Sequence, residues 1–331
     1  MSKKPSHNLA LDLVRVTEAA ALAAGRWMGR GKKEDGDQAA VDAMRLVLNT
    51  IDIDGVIVIG EGEKDEAPML YNGEKLGTGD GPVLDIAVDP VEGTRLLAQG
   101  RQGSVATVAL AESGSMFNPG PIVYMHKIAV GRRGKGHIDI DAPIEVNLNM
   151  IAREKGADVD DLTVVILERP RHKELIQRVR DTGARIRLIT DGDVAGAILA
   201  AQPKSGIDLL IGVGGTPEGV LAACALKCMG GEIQGRLYPR DEAEAKAAKD
   251  LGYDLDKVLR IDDLVATDDI FFALTGITDG ELVDGVKYFG SGARTHSLVM
   301  RGLTGTVREV IATHRWDKLM VVSKIQYDRI G

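Results

Sequence analysis

The first half of the chain predicts two amphipathic helices followed by a series of strands. Apolar residues recur at helical spacing in LALDLVRVTEAAALAAGRWMG, which begins after Asn8 and reaches Gly29 and Gly31, two residues that favour a helix end. After the loop RGKKEDGD, the stretch QAAVDAMRLVLNTI predicts a second helix with one apolar face. GVIVIG, VLDIAVD, SVATVALA and IVYMHKIAV predict strands, and we expect Pro90 to end the second of them.

The second half has a different pattern, in which short apolar strands alternate with helices. LTVVILE, ARIRLIT and IDLLIGVGG predict strands, whereas KELIQRVRDTG, VAGAILAAQ and PEGVLAACALKCMGG predict helices, and three further strands follow near the end. The chain is therefore expected to be of the mixed α/β (α+β) class. We expect an α+β half at residues 1–160 and an α/β half at residues 161–331, packed as one composite unit.

Composition excludes several classes of protein. The 331 residues are 44% hydrophobic and 27% charged, as in globular proteins, and no apolar run approaches the ~20 residues of a membrane helix. Asp12, Arg15 and Glu18 interrupt any apolar core of a signal peptide, so we expect a cytoplasmic protein. The two cysteines, Cys224 and Cys228, are too few for a disulfide framework and are expected in the core.

Charge is distributed unevenly along the chain. The net charge of −8 argues against nucleic acid as a partner, because phosphate backbones require a basic surface. Between Glu34 and Glu92, fifteen acidic residues stand against three basic ones. Such a segment requires either bound cations or a well-solvated face.

Three acidic clusters follow predicted strands: GEGEKDEAP, DPVEGT and GGTPEG. Mg²⁺ and Mn²⁺ take carboxylate oxygens as ligands and keep positions for water and phosphate, so we expect metal ligands among Glu61, Asp89, Glu92 and Glu218. A purely structural interpretation, in which each cluster is a turn and a helix start, is equally supported by the local residues. GVGGTPEG lacks the spacing of a nucleotide-binding glycine motif.

Basic residues that suit phosphate occur elsewhere, at Lys33 and in ERPRHKE, where two arginines flank a proline. The DGD at residues 191–193 either caps the helix that follows or accepts hydrogen bonds from sugar hydroxyls, and local pattern favours the cap. Tyr124 lies in a predicted strand, where a role in the core or on a sheet face is the default. His172 is best interpreted as a surface histidine or as a loop histidine with satisfied hydrogen bonds.

Taken in order, GEGE, DPVEGT and GGTPEG resemble the lithium-sensitive phosphatase superfamily of inositol monophosphatases and fructose-1,6-bisphosphatases. RVTEAAALAAGRWMGRG, DGDQAAVDAMR, IGEGEKDEAPMLYNGEKLGTG, TDGDVAGAI and GGTPEGV are similar to the class II (GlpX-type) fructose-1,6-bisphosphatases, over nearly the whole chain. This resemblance implies a five-layered α-β-α-β-α sugar-phosphatase fold, Mg²⁺ or Mn²⁺ as cofactor, and a homo-oligomer, either dimer or tetramer.

The resemblance also implies roles for individual residues. The implied metal ligands are Asp37, Glu61, Asp89, Glu92 and Glu218. The implied catalytic residues are Thr94, Asp37, Glu61, Lys33 and Asp65. The implied substrate contacts are Glu92, Gly93, Thr94, Tyr124, Arg169, Pro170, Arg171, Asp191, Gly192, Asp193 and Gly215. One position departs from the family pattern, because Gly103 stands where an Asn is usual.

The implied reaction is the gluconeogenic hydrolysis of fructose 1,6-bisphosphate to fructose 6-phosphate and phosphate. A metal-activated water attacks the 1-phosphate, and Thr94 orients that water or its proton. The alternatives are a sedoheptulose-1,7-bisphosphatase or dual activity, another inositol or nucleotide phosphatase of the superfamily, and a sugar-phosphate-binding protein without turnover.

Overall fold

The structure is a computed structural model, and it describes residues 8–61, 70–323 and 325–329. The strands are β1 (Asp54–Ile59), β2 (Lys75–Leu76), β3 (Val83–Glu92), β4 (Val105–Glu112), β5 (Tyr124–Val130), β6 (Thr163–Leu167), β7 (Arg185–Ile189), β8 (Leu209–Gly215), β9 (Glu232–Tyr238), β10 (Leu259–Arg260), β11 (Ile270–Gly276), β12 (Lys287–Phe289), β13 (Gly292–Arg301) and β14 (Thr306–Arg315). The α-helices are α1 (Ala10–Ala24), α2 (Lys33–Leu48), α3 (Thr94–Gln99), α4 (Ile144–Lys155), α5 (Lys173–Asp181), α6 (Asp193–Ala201), α7 (Thr216–Met229), α8 (Glu242–Asp250), α9 (Ile261–Leu264) and α10 (Trp316–Ser323).

The chain divides into two compact units whose boundaries differ from those that the sequence predicted. The first unit comprises Met1–Ser115 and Thr267–Gly331, and the second comprises Met116–Ala266. Residue 160, the expected boundary, lies inside the second unit. The last segment joins the first unit because β11 pairs with β4 along its length and with β13 on its other side. Such pairing between distant segments has no local signature in the sequence.

The first unit is built on an eight-stranded mixed sheet. Its strand order is β12-β13-β11-β4-β3-β1-β2, with β14 paired to β13, and β1 and β3 are parallel neighbours. Helix α1 lies against β3, β4, β11 and β13 and also packs on α2. Its side chains Leu13, Val16 and Leu22 are buried in an apolar cluster with Ile86 and Val108 of the sheet. Burial of this apolar surface is the main stabilising contribution to the unit.

The second unit is built on a six-stranded mixed sheet with helices on both faces. Its strand order is β10-β9-β5-β8-β6-β7, in which β6, β7 and β8 are parallel. Ile128, Val164 and Leu209 share one apolar cluster with Leu148 of α4 and Val179 of α5. Helices α6 and α7 pack against the strands and against each other. Because both faces are covered, the central strands β6 and β8 are nearly continuous apolar runs.

The mixed α/β class is confirmed, and most predicted elements are present, with three local differences. Helix α1 ends at Ala24, earlier than the glycines at 29 and 31, and a 3₁₀ turn follows it. Helix α2 begins at Lys33, so RGKKEDGD is not a loop throughout. Strand β3 continues through Pro90 to Glu92, because the ladder with β4 shifts register there and a bulge tolerates the missing N–H.

The five-layered order implied by the resemblance stays a prediction. Over the ranges that the structure describes, no helix combines the length and the apolar character that crossing a membrane requires.

Candidate active site

In the first unit, acidic residues lie where two neighbouring parallel strands end. Glu61 lies just after β1, and Asp89 and Glu92 lie at the carboxyl end of β3. Because β1 and β3 are parallel, their carboxyl ends meet at the same edge of the sheet. Glu92 is buried, and the hydroxyl of Ser104 donates to its backbone oxygen at 3.2 Å. This edge of the larger sheet therefore gathers the carboxylates of two motifs.

The segment after Glu92 turns sharply into α3, and a glycine is required there. Gly93 precedes the helix with φ 86°, a left-handed conformation that residues with a side chain rarely adopt. Thr94 is then the first residue of the helix and is half-buried. In the second unit Gly192 has almost the same conformation, φ 89°, directly before α6. The left-handed backbone conformation therefore explains the glycine in DPVEGT and the glycine in DGD.

Lys33 and Asp37 lie in the first two turns of α2, close to α3. The chain leading into α2 is attached to α3, because the N–H groups of Gly29 and Gly31 donate at 2.9 Å to the carbonyls of Leu97 and Ala98. These bonds hold the start of α2 beside the helix that begins with Thr94. Asp37 and Thr94, far apart in sequence, thus belong to neighbouring elements of one unit.

Asp37 and Glu61 form a carboxyl pair that suits a divalent cation. Their side chains share a hydrogen bond, and burial raises the pKa of Asp37 although Glu61 and nearby Lys33 act to lower it. Oδ1 of Asp37 is buried without a hydrogen-bond partner. A buried carboxylate oxygen without a donor is costly, and a hard cation with oxygen ligands would satisfy it. The residues present therefore fit a metal.

In the second unit, the predicted substrate residues lie at one edge of the smaller sheet. The parallel strands β6, β7 and β8 end there: residues 168–172 follow β6, residues 190–193 follow β7, and Gly215 is the last residue of β8. Strand β5 runs antiparallel to β8, so Tyr124 at its start lies directly opposite Gly215. Four separate stretches of sequence are brought together by sheet topology alone.

A buried lysine that the sequence analysis did not identify lies at the centre of this group. Lys127 on β5 is 2% exposed, its Nζ lies 2.6 Å from Oδ2 of Asp193, and it donates to the carbonyl of Gly215 at 2.8 Å. A charged residue buried to this degree requires a partner. The signal in the sequence is a lysine within the largely apolar strand IVYMHKIAV.

Glu218 lies beside this ion pair and folds back over the start of its own helix. Its carboxylate oxygen and that of Asp193 come within 4.8 Å of each other. Desolvation and the charge of Asp193 raise the pKa of Glu218 from 4.5 to about 7 although Lys127 acts to lower it. A side chain at Gly215 would collide with this carboxylate, since a Cβ there would lie 1.8 Å from Oε2. Gly215 is thus needed to make room for Glu218.

The basic residues of ERPRHKE divide into two contacts. Arg171 donates to the carbonyl of Val213 at 2.7 Å, and its guanidinium lies 5.0 Å from the centre of the Tyr124 ring. Arg169 forms an ion pair with Asp191 at 3.4 Å. Pro170, between the two arginines, begins a 3₁₀ turn. Both arginines are therefore oriented at the same sheet edge as Glu218, with planar forks that suit phosphate.

Several further expectations can be compared with the structure. His172 has satisfied hydrogen bonds as expected, because Nδ1 lies 2.7 Å from the carbonyl of Leu167 and the N–H of Val213 donates to Nε2, but it is buried rather than at the surface. The favoured capping role of DGD was wrong, since Gly192 occupies the cap position with no side-chain cap, and Asp193 pairs with lysine instead. Gly103 has φ 101°, a conformation that favours glycine over the usual Asn.

Two remaining predictions concern cysteines and one acidic residue. Cys224 and Cys228 are buried and reduced on α7, which confirms the core interpretation. Asp65 lies outside the described residues.

Comparison with known proteins agrees with the geometry of both units. Residues 7–314 match the family described as bacterial fructose-1,6-bisphosphatase, glpX-encoded. The chain is 44% identical over 330 residues to the fructose-1,6-bisphosphatase class 2 of Haemophilus influenzae, covering 96% of this chain and 99% of the relative. It is also 44% identical over 323 residues to fructose-1,6-bisphosphatase 1 class 2 of Escherichia coli K12, covering 94% and 96% of the two chains. The chain belongs to the GlpX-type family of bacterial fructose-1,6-bisphosphatases, a family of metal-dependent phosphatases.

Proposed function

We propose that this protein hydrolyses fructose 1,6-bisphosphate to fructose 6-phosphate and phosphate, as a gluconeogenic enzyme. The observation that carries the proposal is the 44% identity over nearly the full length of relatives that are named fructose-1,6-bisphosphatases. The acidic and basic side chains at the strand ends of each unit supply the chemistry that such a reaction needs.

The proposed metal ligands are Asp37, Glu61, Asp89, Glu92 and Glu218, with Mg²⁺ or Mn²⁺ as the ion. All five offer carboxylate oxygens, the donors that these ions prefer. A cation would satisfy the buried Oδ1 of Asp37, and burial together with the charge of Asp193 raises the pKa of Glu218 although Lys127 acts to lower it, which supports a further cation beside Glu218. When bound, a divalent ion supplies Lewis acidity that neutralises phosphate oxygens and activates water.

The remaining roles fall to the protein's own side chains. Thr94 is proposed to orient the attacking water through its hydroxyl. Gly93 and its neighbours allow close approach of backbone N–H groups to the 1-phosphate. Lys33 is proposed to balance charge at Asp37, as its effect on the pKa of that residue indicates. Asp65 is proposed as a catalytic residue on the resemblance alone.

The second unit is proposed to hold the sugar and its second phosphate. Arg169 and Arg171 suit the 6-phosphate, since a guanidinium can donate two parallel hydrogen bonds to phosphate. Asp191 and Asp193 are proposed to accept hydrogen bonds from sugar hydroxyls. The further contacts proposed by resemblance are Tyr124, Pro170, Gly192 and Gly215.

The test is phosphate release from fructose 1,6-bisphosphate by metal-stripped protein, before and after addition of Mg²⁺ or Mn²⁺. Fructose 6-phosphate, inositol 1-phosphate and sedoheptulose 1,7-bisphosphate are run in parallel. We expect metal-restored turnover that is selective for bisphosphates. Turnover of monophosphates alone would move the protein to another branch of the superfamily, and saturable binding without turnover would indicate a binding protein.

Two conservative substitutions on α2 separate a metal role from a general charge effect. Asp37→Asn replaces one carboxylate oxygen by an amide nitrogen and removes the negative charge, and we expect it to abolish restoration by metal. Asp42→Asn removes an exposed carboxylate from the same helix, and turnover should stay unchanged. Equal loss in both variants would contradict the proposed role of Asp37.

We further propose that the enzyme is a cytoplasmic homo-oligomer, either a dimer or a tetramer. Light scattering on the purified chain measures the mass directly, against 35.3 kDa for one chain. A single-chain mass at micromolar concentration would contradict this proposal.

A further inference from the structure

A cavity of about 290 Å³ lies in the first unit, well away from the proposed metal ligands. It is partly open to solvent and is lined by residues of α1, the second half of α2, the end of β14 and α10, and by Tyr327. It meets α2 at Leu46 and Val47, about 14 Å along the helix from Asp37 at ~1.5 Å per residue. The cavity is therefore separate from the residues proposed for catalysis.

The walls are mostly apolar, and one acidic side chain lies among them. Leu22 of α1, Leu319 of α10 and Tyr327 form part of the apolar lining, whereas Glu18 contributes a carboxylate. Glu18 is 8% exposed, so most of its surface is already removed from water. A few polar groups in an apolar concave surface are typical of small-molecule sites, whose volumes begin at roughly 300 Å³.

The carboxylate of Glu18 is held in place by a chain of hydrogen bonds. The hydroxyl of Thr295 donates to Oε1 at 3.0 Å, and Nε2 of His314 lies 2.8 Å from the same hydroxyl. Because that hydroxyl has one proton, which it gives to Glu18, the imidazole must donate from Nε2. Burial lowers the pKa of His314, so this ring is neutral and brings no charge to the carboxylate.

Nε2 of His314 lies 3.7 Å from Oε1 of Glu18, but this ring is neutral, so Glu18 has no close cationic partner among the described residues that line the cavity. The one other charged lining residue is Arg15, which is exposed and already paired with Asp12 at 3.1 Å. Burial raises the pKa of Glu18 from 4.5 to about 7, although the hydrogen bond from Thr295 and, more weakly, the charge of Arg15 act to lower it. A carboxylate in such a place is stabilised by a cation that enters from outside.

We propose that this cavity binds a small organic cation, a primary ammonium that carries a short apolar group. The ammonium donates hydrogen bonds to Glu18, and the apolar group packs against Leu22, Leu46 and Leu319. An ammonium has three donors, and a charge-assisted bond to a carboxylate is about twice as strong as a neutral one. A carboxylate ligand is repelled by Glu18, and a neutral apolar ligand leaves the buried carboxylate unpaired.

The first test is calorimetric titration of the full chain with n-hexylammonium, with n-hexanol and hexanoate as ligands of matched length. We expect saturable binding of the ammonium at millimolar concentration or below, weaker binding of the alcohol and none of the carboxylate. Glu18→Gln keeps the shape of the cavity and should weaken ammonium binding roughly tenfold to a hundredfold. Glu309→Gln, on the exposed face of β14, removes the same charge elsewhere and should change nothing.

Two results would overturn the proposal: equal affinity of hexylammonium for the wild type and for Glu18→Gln, or no saturable ammonium binding by the wild type. If Glu18→Gln does not fold, an exposed lining residue gives the same information. Val322 is 77% exposed and lines the cavity.

Val322→Lys should weaken ammonium binding, and Val322→Glu should strengthen it, each by roughly twofold to fivefold. Shifts in the same direction would contradict a cationic ligand. These measurements need no catalytic turnover, so they stand or fall independently of the phosphatase proposal.

Discussion

Replacing Gly215 by alanine should remove most activity while leaving the fold almost unchanged. The backbone of Gly215 has φ −66° and ψ 143°, which alanine adopts without strain. The new Cβ, however, would lie 1.8 Å from Oε2 of Glu218, whereas ordinary contact begins at 3.4 Å. The carboxylate must therefore move by about 1.6 Å, the difference between these two distances.

This movement should change the stability of the protein little and its catalytic rate strongly. A strained or altered side-chain rotamer costs about 0.5–1.5 kcal/mol, and the loss of a glycine from the unfolded chain returns about 0.4–1 kcal/mol, so the free energy of unfolding should change by less than about 1 kcal/mol. A catalytic group misplaced by about 1 Å can lower the rate about a hundredfold. We therefore expect kcat/KM on fructose 1,6-bisphosphate to fall at least about a hundredfold.

The assay measures kcat/KM with saturating Mn²⁺ alongside the thermal midpoint of unfolding. Gly290→Ala is the matched control, because a Cβ at Gly290 meets no atom within 4 Å. Combining Gly215→Ala with Glu218→Ala should cost no more activity than Glu218→Ala alone, since both changes remove the same carboxylate from its place. Additive losses, or near-normal activity of Gly215→Ala, would refute the reasoning.

Three further predictions concern other residues. Thr94→Ala should keep the affinity for fructose 1,6-bisphosphate but lower kcat at least about a hundredfold, whereas Thr94→Ser should retain most activity; an active alanine variant would exclude the proposed role. The pKa of Glu18 is higher in the folded chain than the ordinary 4.5, so the free energy of unfolding should fall by about 3 kcal/mol as pH rises from about 4.5 to about 7. Denaturant unfolding at several pH values measures this fall, which should be absent in Glu18→Gln. Lys127→Met should lower the free energy of unfolding by about 3–5 kcal/mol, since it leaves Asp193 buried without its cation. The double variant Lys127→Met/Asp193→Asn should regain part of this stability but no activity. An unchanged thermal midpoint of Lys127→Met would contradict this prediction.

The family and the candidate chemistry could be predicted from the sequence because both depend on short stretches of consecutive residues. The motif DPVEGT carries a carboxylate pair, a left-handed glycine and a helix-starting hydroxyl within six residues, and the structure has Gly93 and Thr94 in those conformations. Periodicity of apolar residues predicted most strands and helices for the same reason. Information of this kind lies in consecutive residues and needs no knowledge of the rest of the chain.

Where predictions failed, the missing information was a contact between distant residues. Pro90 stays within β3 because the ladder with β4 bulges there, and the DGD carboxylate of Asp193 turns to Lys127 rather than to its own helix. Neither partner is adjacent in sequence. A local rule for capping or chain termination gives way when a buried lysine or a neighbouring strand offers a stronger interaction.

Which segments make up each of the two units was also beyond local pattern, although most of their strands were predicted. Residues 267–331 join the N-terminal region because β11 pairs with β4, and that choice of partner depends on which apolar faces meet when the chain collapses. The order of strands likewise decides that Tyr124 lies opposite Gly215 and that Glu18 and His314 flank one cavity. The sequence determines which side chains are present, but only the tertiary structure determines the neighbours that set the charge, burial and pKa of each one.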